Sequence, residues 1–252
     1  NGIVDAANIS ASHPREDRRA DLAARYGIRT YESNAEAARE LAGHENSAVV
    51  LCVKPQRLKK VLADLDGVIH VEQLVVSIVA GATISHLAQE FGTAKVVRAM
   101  PNTPSQIGAG ITAWTCTNAV DETERSHVRE MLSALGKELF VETENMIDMA
   151  TSLSATGPTY IFMVMEALTD AGVHMGFSRD MAKELVQETM LGSVKFAMAS
   201  HKHPAELRNM VTSPGGTSAE AIYQMEKGSL RTVLSKAVYS AYKRAVELGK
   251  KS

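Results

Sequence analysis

Cysteine is nearly missing. Cys52 and Cys116 are the only two in 252 residues. That excludes a disulfide framework and points to a reduced, intracellular chain, with the cytoplasm as the expected compartment. Long apolar runs are missing as well: none approaches the roughly 18 residues of a membrane-spanning helix. Charge of one sign is also lacking. The 27 Lys and Arg against 29 Asp and Glu leave a net charge of −2, so neither nucleic acid nor an anionic membrane is an expected partner. Aromatic residues are only 5% of the chain, with one Trp, while Met is frequent at 12. Its helices are therefore expected to pack through aliphatic and thioether contacts. No Met opens the chain, which starts Asn1-Gly2.

Several chemical signatures are absent too. There is no GxGxxG. Gly108-Ala109-Gly110 has the first two glycines, but Ala113 fills the third place, and the segment precedes a strand rather than opening a helix. His201-Lys202-His203 is the one close histidine pair. Without Cys or carboxylate companions it reads as a solvated loop, and no metal site is expected. No Ser-His-Asp or paired-carboxylate arrangement stands out. Cys52, inside an apolar run, reads as a small core residue rather than a nucleophile.

What is present is globular: 45% hydrophobic and 22% charged residues, over a length that suits one large domain or two modest ones. The first half alternates β-rich and helical stretches. Residues 8–12 read as a strand, followed by a helix over 15–26 that stops at Gly27. Residues 47–53, 74–79 and 95–100 are apolar runs of the kind covered on both faces of a sheet. They stop at Pro55, Ala80-Gly81 and Pro101, and helices are expected to about Leu65 and over 83–91. Further strands are expected over 111–117 and 139–141, around a helix over 121–135. This is the pattern of a parallel sheet with helices on both faces.

The character changes near residues 142–146, and the domain line is drawn at 1–143 and 144–252. No β-like run follows. Long helices are expected over 158–175, 178–199 and 230–248. Met163, Ala167, Ala171 and Met175 recur at i+4, as do Met181, Leu185 and Thr189. Stripes this broad are expected to bury against a partner chain as well as within the domain.

Three features carry chemistry. The first is Thr212-Ser213-Pro214-Gly215-Gly216-Thr217-Ser218-Ala219-Glu220. Paired glycines free the backbone, and Thr217 with Glu220 matches a capping box that starts a helix ending at Gly228. Ala219, Ile222 and Met225 are expected to face inward. Such a turn is either a plain capped connection or an anion site, where free N–H groups and the helix dipole converge. Its hydroxyls favour a small carboxylate. The second feature is the set of strand ends: Val53-Lys54-Pro55, Val79-Ala80-Gly81 and Met100-Pro101-Asn102. Each is ordinary turn chemistry by itself, but together they fit a nucleotide cleft at the carboxyl edge of a sheet. The third is Ser10-Ala11-Ser12-His13-Pro14-Arg15. It reads as a solvated helix start or as hydroxyls and a base for an NADP 2′-phosphate; no acidic reader of a 2′-hydroxyl precedes Glu16.

These residues resemble one family closely. Leu207-Arg208-Asn209-Met210-Val211-Thr212-Ser213-Pro214-Gly215-Gly216-Thr217-Ser218 is similar to the C-terminal signature of pyrroline-5-carboxylate reductase. Val53-Lys54-Pro55, the run from Val75 to Gly81, Arg98-Ala99-Met100-Pro101-Asn102-Thr103-Pro104 and the run from Ser154 to Tyr160 fall in its order and spacing. The resemblance implies an α/β Rossmann-type N-terminal domain and an all-α C-terminal domain that interleaves with a second subunit. It implies reduction of L-1-pyrroline-5-carboxylate to L-proline by NADPH or NADH, the last step of proline biosynthesis. Carried over residue by residue, Ser12 and His13 meet the 2′-phosphate and Asn34 is a cofactor residue. Val53, Lys54, Pro55, Ala80 and Gly81 border the nicotinamide, and Asn102 joins the cofactor set. Ser213, Gly215, Gly216, Thr217 and Ser218 hold the substrate carboxylate, with Ser218 reaching the ring nitrogen as the catalytic hydroxyl.

Some residues depart from the family pattern. Ser218 stands where the family usually has Thr. Ser154-Ala155-Thr156-Gly157-Pro158-Thr159 is less glycine-rich than the family's block. The family opens with a strand, a glycine-rich loop and a helix, and Asn1-Gly2 aligns with the end of that helix. These 252 residues alone are therefore expected to bind NADPH poorly. Two other readings are kept. One is an NADP-linked reductase of the β-hydroxyacid dehydrogenase type, for which Lys183 or Lys195 would serve. The other is a helical dimer that binds a carboxylate without turning it over.

Overall fold

A computed structural model describes residues 2–40, 44 and 46–250. The chain forms two compact units: Asn1–Thr156 with Ala241–Ser252, and Gly157–Ser240. In the first unit, β1 (Ser10–Ser12) and β2 (Arg29–Tyr31) form a parallel pair joined through α1 (Glu16–Tyr26). The first helix ends at Gly27, whose φ of 67° is the left-handed cap that glycine adopts without strain. Next comes α2 (Asn34–Arg39), capped by the Ser33 hydroxyl.

A five-stranded sheet follows, in the order β3 (Ala48–Leu51), β4 (Leu74–Ser77), β5 (Val96–Met100), β6 (Gly110–Cys116) and β7 (Gly136–Phe140). One face packs against α3 (Pro55–Leu65) and α4 (Ile84–Phe91). There Leu58, Leu62, Leu87 and Phe91 meet Leu51, Val75 and Val96. The opposite face packs Val76, Val97 and Trp114 against Val128 and Leu132 of α5 (Glu122–Ser133). Alternate residues of β4 and β5 thus serve opposite cores, and every residue of both strands is buried. Each valine so buried contributes up to about 1.5–3 kcal/mol before the entropy of ordering is subtracted.

Three expectations about the first half need correction. Residues 47–53 do not form a strand covered on both faces. The strand is Ala48–Leu51, an edge of its sheet, with Ala48 and Val50 exposed because only the Val49 and Leu51 side meets helices. Cys52 lies past that strand and is exposed, so it is not a core residue. The sheet is also not wholly parallel. β6 runs antiparallel to β5. The connection over residues 101–109 holds only one 3₁₀ turn (Thr103–Ile107), and a parallel return needs a crossover of about a dozen residues or more.

The packing of the first unit runs on past residue 143. Residues beyond it return to the sheet as α6 (Asn145–Ala150) and a π-helical turn (Thr151–Ala155). Fully buried Ile147 joins Met100, Ala113 and Val141, and Ala150 and Ala155 pack alongside.

The second unit is helical: α7 (Gly157–His174), α8 (Arg179–Ser200), α9 (Pro204–Met210), α10 (Thr217–Lys227) and α11 (Leu230–Gly249), whose last turns belong to the first unit. The first two of these helices meet where Gly172 faces Ala182; a Cβ on Gly172 would lie 2.8 Å from the Ala182 Cβ. The His201-Lys202-His203 segment is a connection. His201 ends α8 at φ 54°, and His203 Nδ1 accepts the Ala205 N–H to cap α9. Large apolar side chains stay exposed along this unit, among them Met163, Leu185, Phe196 and Met198. Among the described residues no helix is long and apolar enough to cross a membrane.

Candidate active site

The parallel strands of the five-stranded sheet end toward one edge, β3 and β4 level and β5 running on from Arg98 to Met100. Leu51 pairs with Ser77, and Ser77 with Arg98, so their following turns emerge at one edge. Lys54 caps α3 with its backbone, and Pro55 takes the first helical position, where its missing N–H costs nothing. Val53 is half-buried against the core below. Past β4, Ser77 Oγ accepts the Val79 N–H at 3.2 Å and Val79 O accepts the Ala82 N–H at 3.2 Å, which folds the chain sharply at Ala80-Gly81. Gly81 is buried with φ 81°, and a Cβ there would lie 2.8 Å from the carbonyl carbon of Leu248. No other residue fits that place. Past β5, Asn102 Oδ1 accepts the Ile111 N–H at 3.0 Å, which leaves the amide NH₂ as a donor.

The end of the small sheet gathers a second group. Ser12 Oγ donates to Asn34 Oδ1 at 2.7 Å, and Asn34 Nδ2 donates to Asp64 Oδ2 at 2.9 Å. His13 Nδ1 accepts the Arg15 N–H at 3.1 Å, and Arg19 is tied to the His13 carbonyl at 2.8 Å. Ser12 and Asn34, far apart in sequence, are therefore brought together at this strand end. Asp64 was not legible in that role: a lone acid on an exposed helix face carries no signal.

The glycine loop lies in the second unit. Thr212 Oγ1 donates to the Arg208 carbonyl at 2.7 Å, and the Gly216 N–H donates to the Ser213 carbonyl at 3.1 Å. Gly215 takes φ 71°. The expected capping box does not form. Gly216 holds the cap position, and its carbonyl accepts the Ala219 and Glu220 N–H groups. Thr217 is already helical, and the Glu220 carboxylate accepts from Gln224 instead. A glycine cap offers no side chain to the first-turn amides. Thr217 and Ser218 N–H have no intrahelical acceptor by helix geometry, and the dipole's positive end adds to them. The Gly216 N–H, by contrast, is used within the turn and is not a donor for a ligand. Of the expected inward stripe, Ala219 and Ile222 are half-buried and Met225 is exposed.

One cluster escaped sequence reasoning. Arg98, in the middle of the apolar β5 run, is 1% exposed. It forms ion pairs with Glu144 Oε1 at 2.9 Å and Asp148 Oδ1 at 2.6 Å. The signal was available: a charge inside a fully buried strand must find partners. Cys116 is half-buried, and burial pushes its thiol above the usual range against an opposing effect of Arg125; it is no ready nucleophile. Lys183 and Lys195 lie exposed on α8.

Pyrroline-5-carboxylate reductase of Pseudomonas aeruginosa is 39% identical over 97% of this chain and 88% of its own. The chain belongs to the pyrroline-5-carboxylate reductase family. The family pattern described as pyrroline-5-carboxylate reductase dimerisation matches residues 144–248, and one described as NADP oxidoreductase coenzyme F420-dependent matches residues 1–81. The solved family structure from Coxiella burnetii is 34% identical, with a TM-score of 0.84 over 97% of this chain and 89% of that one. The Plasmodium falciparum pyrroline carboxylate reductase solved with NADP bound is 29% identical, with a TM-score of 0.87 over 98% and 90%. The fold class is accordingly a Rossmann-type domain followed by a helical domain. An imine reductase from Streptomyces aurantiacus, 14% identical with a TM-score of 0.54, shares the fold alone.

Proposed function

We propose that the chain reduces L-1-pyrroline-5-carboxylate to L-proline with NADPH or NADH. The reading rests on family membership across nearly the whole chain. The residues present fit a dinucleotide at two places. The Ser12–Asn34 pair offers hydroxyl and amide groups for the adenosine ribose and its 2′-phosphate, with His13 beside them. Val53, Lys54, Pro55, Ala80, Gly81 and Asn102 stand past the carboxyl ends of β3, β4 and β5, where the turns can admit a flat ring. When bound, the cofactor supplies the hydride.

The protein's own part is mostly positioning. The backbone amides of Thr217 and Ser218, at the positive end of α10, hold the substrate carboxylate together with the Ser213 hydroxyl. Gly215 and Gly216 give the loop its shape, Gly215 through its left-handed backbone. The Ser218 hydroxyl hydrogen-bonds the ring nitrogen, so the nitrogen keeps its proton as carbon is reduced. Two molecules of the chain associate through the helical unit, whose exposed Met, Leu and Phe side chains need a cover.

Steady-state kinetics of the protein with pyrroline-5-carboxylate test the reading. Ser218→Ala should lower kcat/KM by about 10–100-fold, the loss of one or two hydrogen-bond equivalents. An unchanged rate removes Ser218 from the mechanism. Turnover of a 3-hydroxy acid with none of the imine overturns the function.

A further inference from the structure

We infer that Glu144 is a positioning residue, a carboxylate clamp that fixes the Ala80-Gly81 turn by holding the N-terminus of α4. The inference rests on the reading that this turn borders the nicotinamide. The first amide of a helix has no intrahelical acceptor. Thr83 caps α4 by accepting the His86 N–H at 3.3 Å, but it leaves the Ile84 N–H unmet. Glu144 Oε1 accepts that N–H at 2.8 Å, across sixty positions of sequence. The same oxygen accepts from Arg98 Nη1 at 2.9 Å. Glu144 is itself partly solvent-exposed, so a carboxylate free to turn to water is held inward by a buried guanidinium. Asp148 takes the other arm of that guanidinium and keeps it aimed.

The turn is also held from two other directions. Gly81 lies against the backbone of Leu248 and Gly249 at the end of α11, too close for any side chain. Ala80 packs into the cluster of Met100, Ala113, Val141 and Ile147. Those contacts are apolar or steric, and the hydrogen bonds of the Val79 and Ala82 amides close the turn only upon itself and β4 without tying it to α4. The Glu144 bond is directional, and it acts three residues beyond Gly81. Losing it frees the first turn of α4, and the turn's backbone with it. Glu144 touches neither ligand in this reading and acts only through residues 80–84.

The test compares wild type, Glu144→Ala and Glu144→Gln. Amide hydrogen exchange is followed at residues 82–85 without cofactor, then NADPH titration, then kcat and KM for each substrate. Glu144→Ala should speed exchange at Ile84 by about 10-fold or more, weaken NADPH binding and lower kcat by about 10-fold, since small misplacements of reacting groups are costly. KM for the pyrroline carboxylate should not move. Glu144→Gln keeps an oxygen to accept the Ile84 N–H and should rescue both kinetics and exchange. Should Glu144→Ala fold poorly, Ile84→Pro serves instead. It deletes the donor at a helix position that tolerates proline, after an extended Thr83, and it leaves the Arg98–Glu144 pair intact. It should reproduce the kinetic loss. Wild-type kcat and NADPH affinity in Glu144→Ala, or damage in Glu144→Gln equal to that in Glu144→Ala, overturns the clamp alone. Failure of wild type to bind NADPH or reduce the imine overturns the parent reading and the clamp with it.

Discussion

Replacing Arg98 with Met removes a buried cation from between two carboxylates while nearly keeping its volume. The structure sets the size of the effect. Arg98 is 1% exposed, but Glu144 and Asp148 keep 31% and 15% of their side-chain surface. Breaking a buried pair by removing one partner costs about 3–5 kcal/mol, because the other charge is stranded. Here the stranded carboxylates have access to water, so the lower end, about 3 kcal/mol, is expected. For a unit of this size that lowers Tm by roughly 6–12 °C. Trp114 is the natural reporter. It is the only tryptophan, it is fully buried in β6, and it pairs across the sheet with Ala99, next to Arg98. Its fluorescence in a urea titration therefore reads the first unit without assuming that both units unfold together. Arg98→Lys keeps the charge but cannot fork to both acids, and should lose about 1–2 kcal/mol. The argument has a real opponent in desolvation. Arg98 Nε is buried with no hydrogen-bond partner, a cost the native state already carries. If Arg98→Met proves as stable as wild type, that cost cancels the two ion pairs, and the network serves geometry rather than stability.

Other outcomes follow from single contacts. Lys95 is held above its ordinary value of 10.5, first by its hydrogen bond to Glu124 and with help from Glu72. A raised folded-state value means the stabilisation is fully present below 10.5 and lost as pH rises through that folded value; the stability gap between wild type and Lys95→Met should be flat from neutral pH upward and close only in strong alkali. Gly172→Ala drives a Cβ to 2.8 Å from Ala182 Cβ and should cost about 1–3 kcal/mol in helix melting by circular dichroism; adding Ala182→Gly should recover part of it. Ser12→Ala should weaken NADPH by about 10-fold while sparing NADH, and an equal loss for both would move Ser12 away from the 2′-phosphate.

Much of the first unit was legible because its signals are local. The mostly apolar runs became β4 and β5, Thr83 and Gly27 stand at the helix ends their chemistry favours, and Pro55 opens α3. The strands that were misjudged depend on neighbours. β3 is as apolar as β4, and only its place at the sheet edge exposes Val50. β2 and α2 were not expected: the strand is three residues long and the helix six, too short for either period to show. The Thr217–Glu220 pair matched a capping box in spacing, but Gly216 in extended backbone took the cap one residue earlier. Among site residues, the strand ends and the Ser10–Arg15 segment were legible from their own turn chemistry, and Asn34 came only from the family resemblance; the structure brings Ser12 and Asn34 into one hydrogen bond.

The polar ties around the Ala80-Gly81 turn were not legible, and the reason is physical. Gly81 reads as an ordinary turn glycine, and its left-handed backbone would justify it. Its second constraint, the closeness of Leu248, comes from the far end of the chain. Arg98 could be flagged as a buried charge in need of partners, but Glu144 and Asp148 lie in a polar stretch where carboxylates are unremarked. Only the return of α6 to the sheet beside Ile147 brings them within reach. Each tie joins a local motif to an element whose position depends on the whole unit. Periodicity and motif spacing can therefore place the turn at the sheet edge, whereas what holds it at one angle is decided by tertiary contacts that no window of sequence contains.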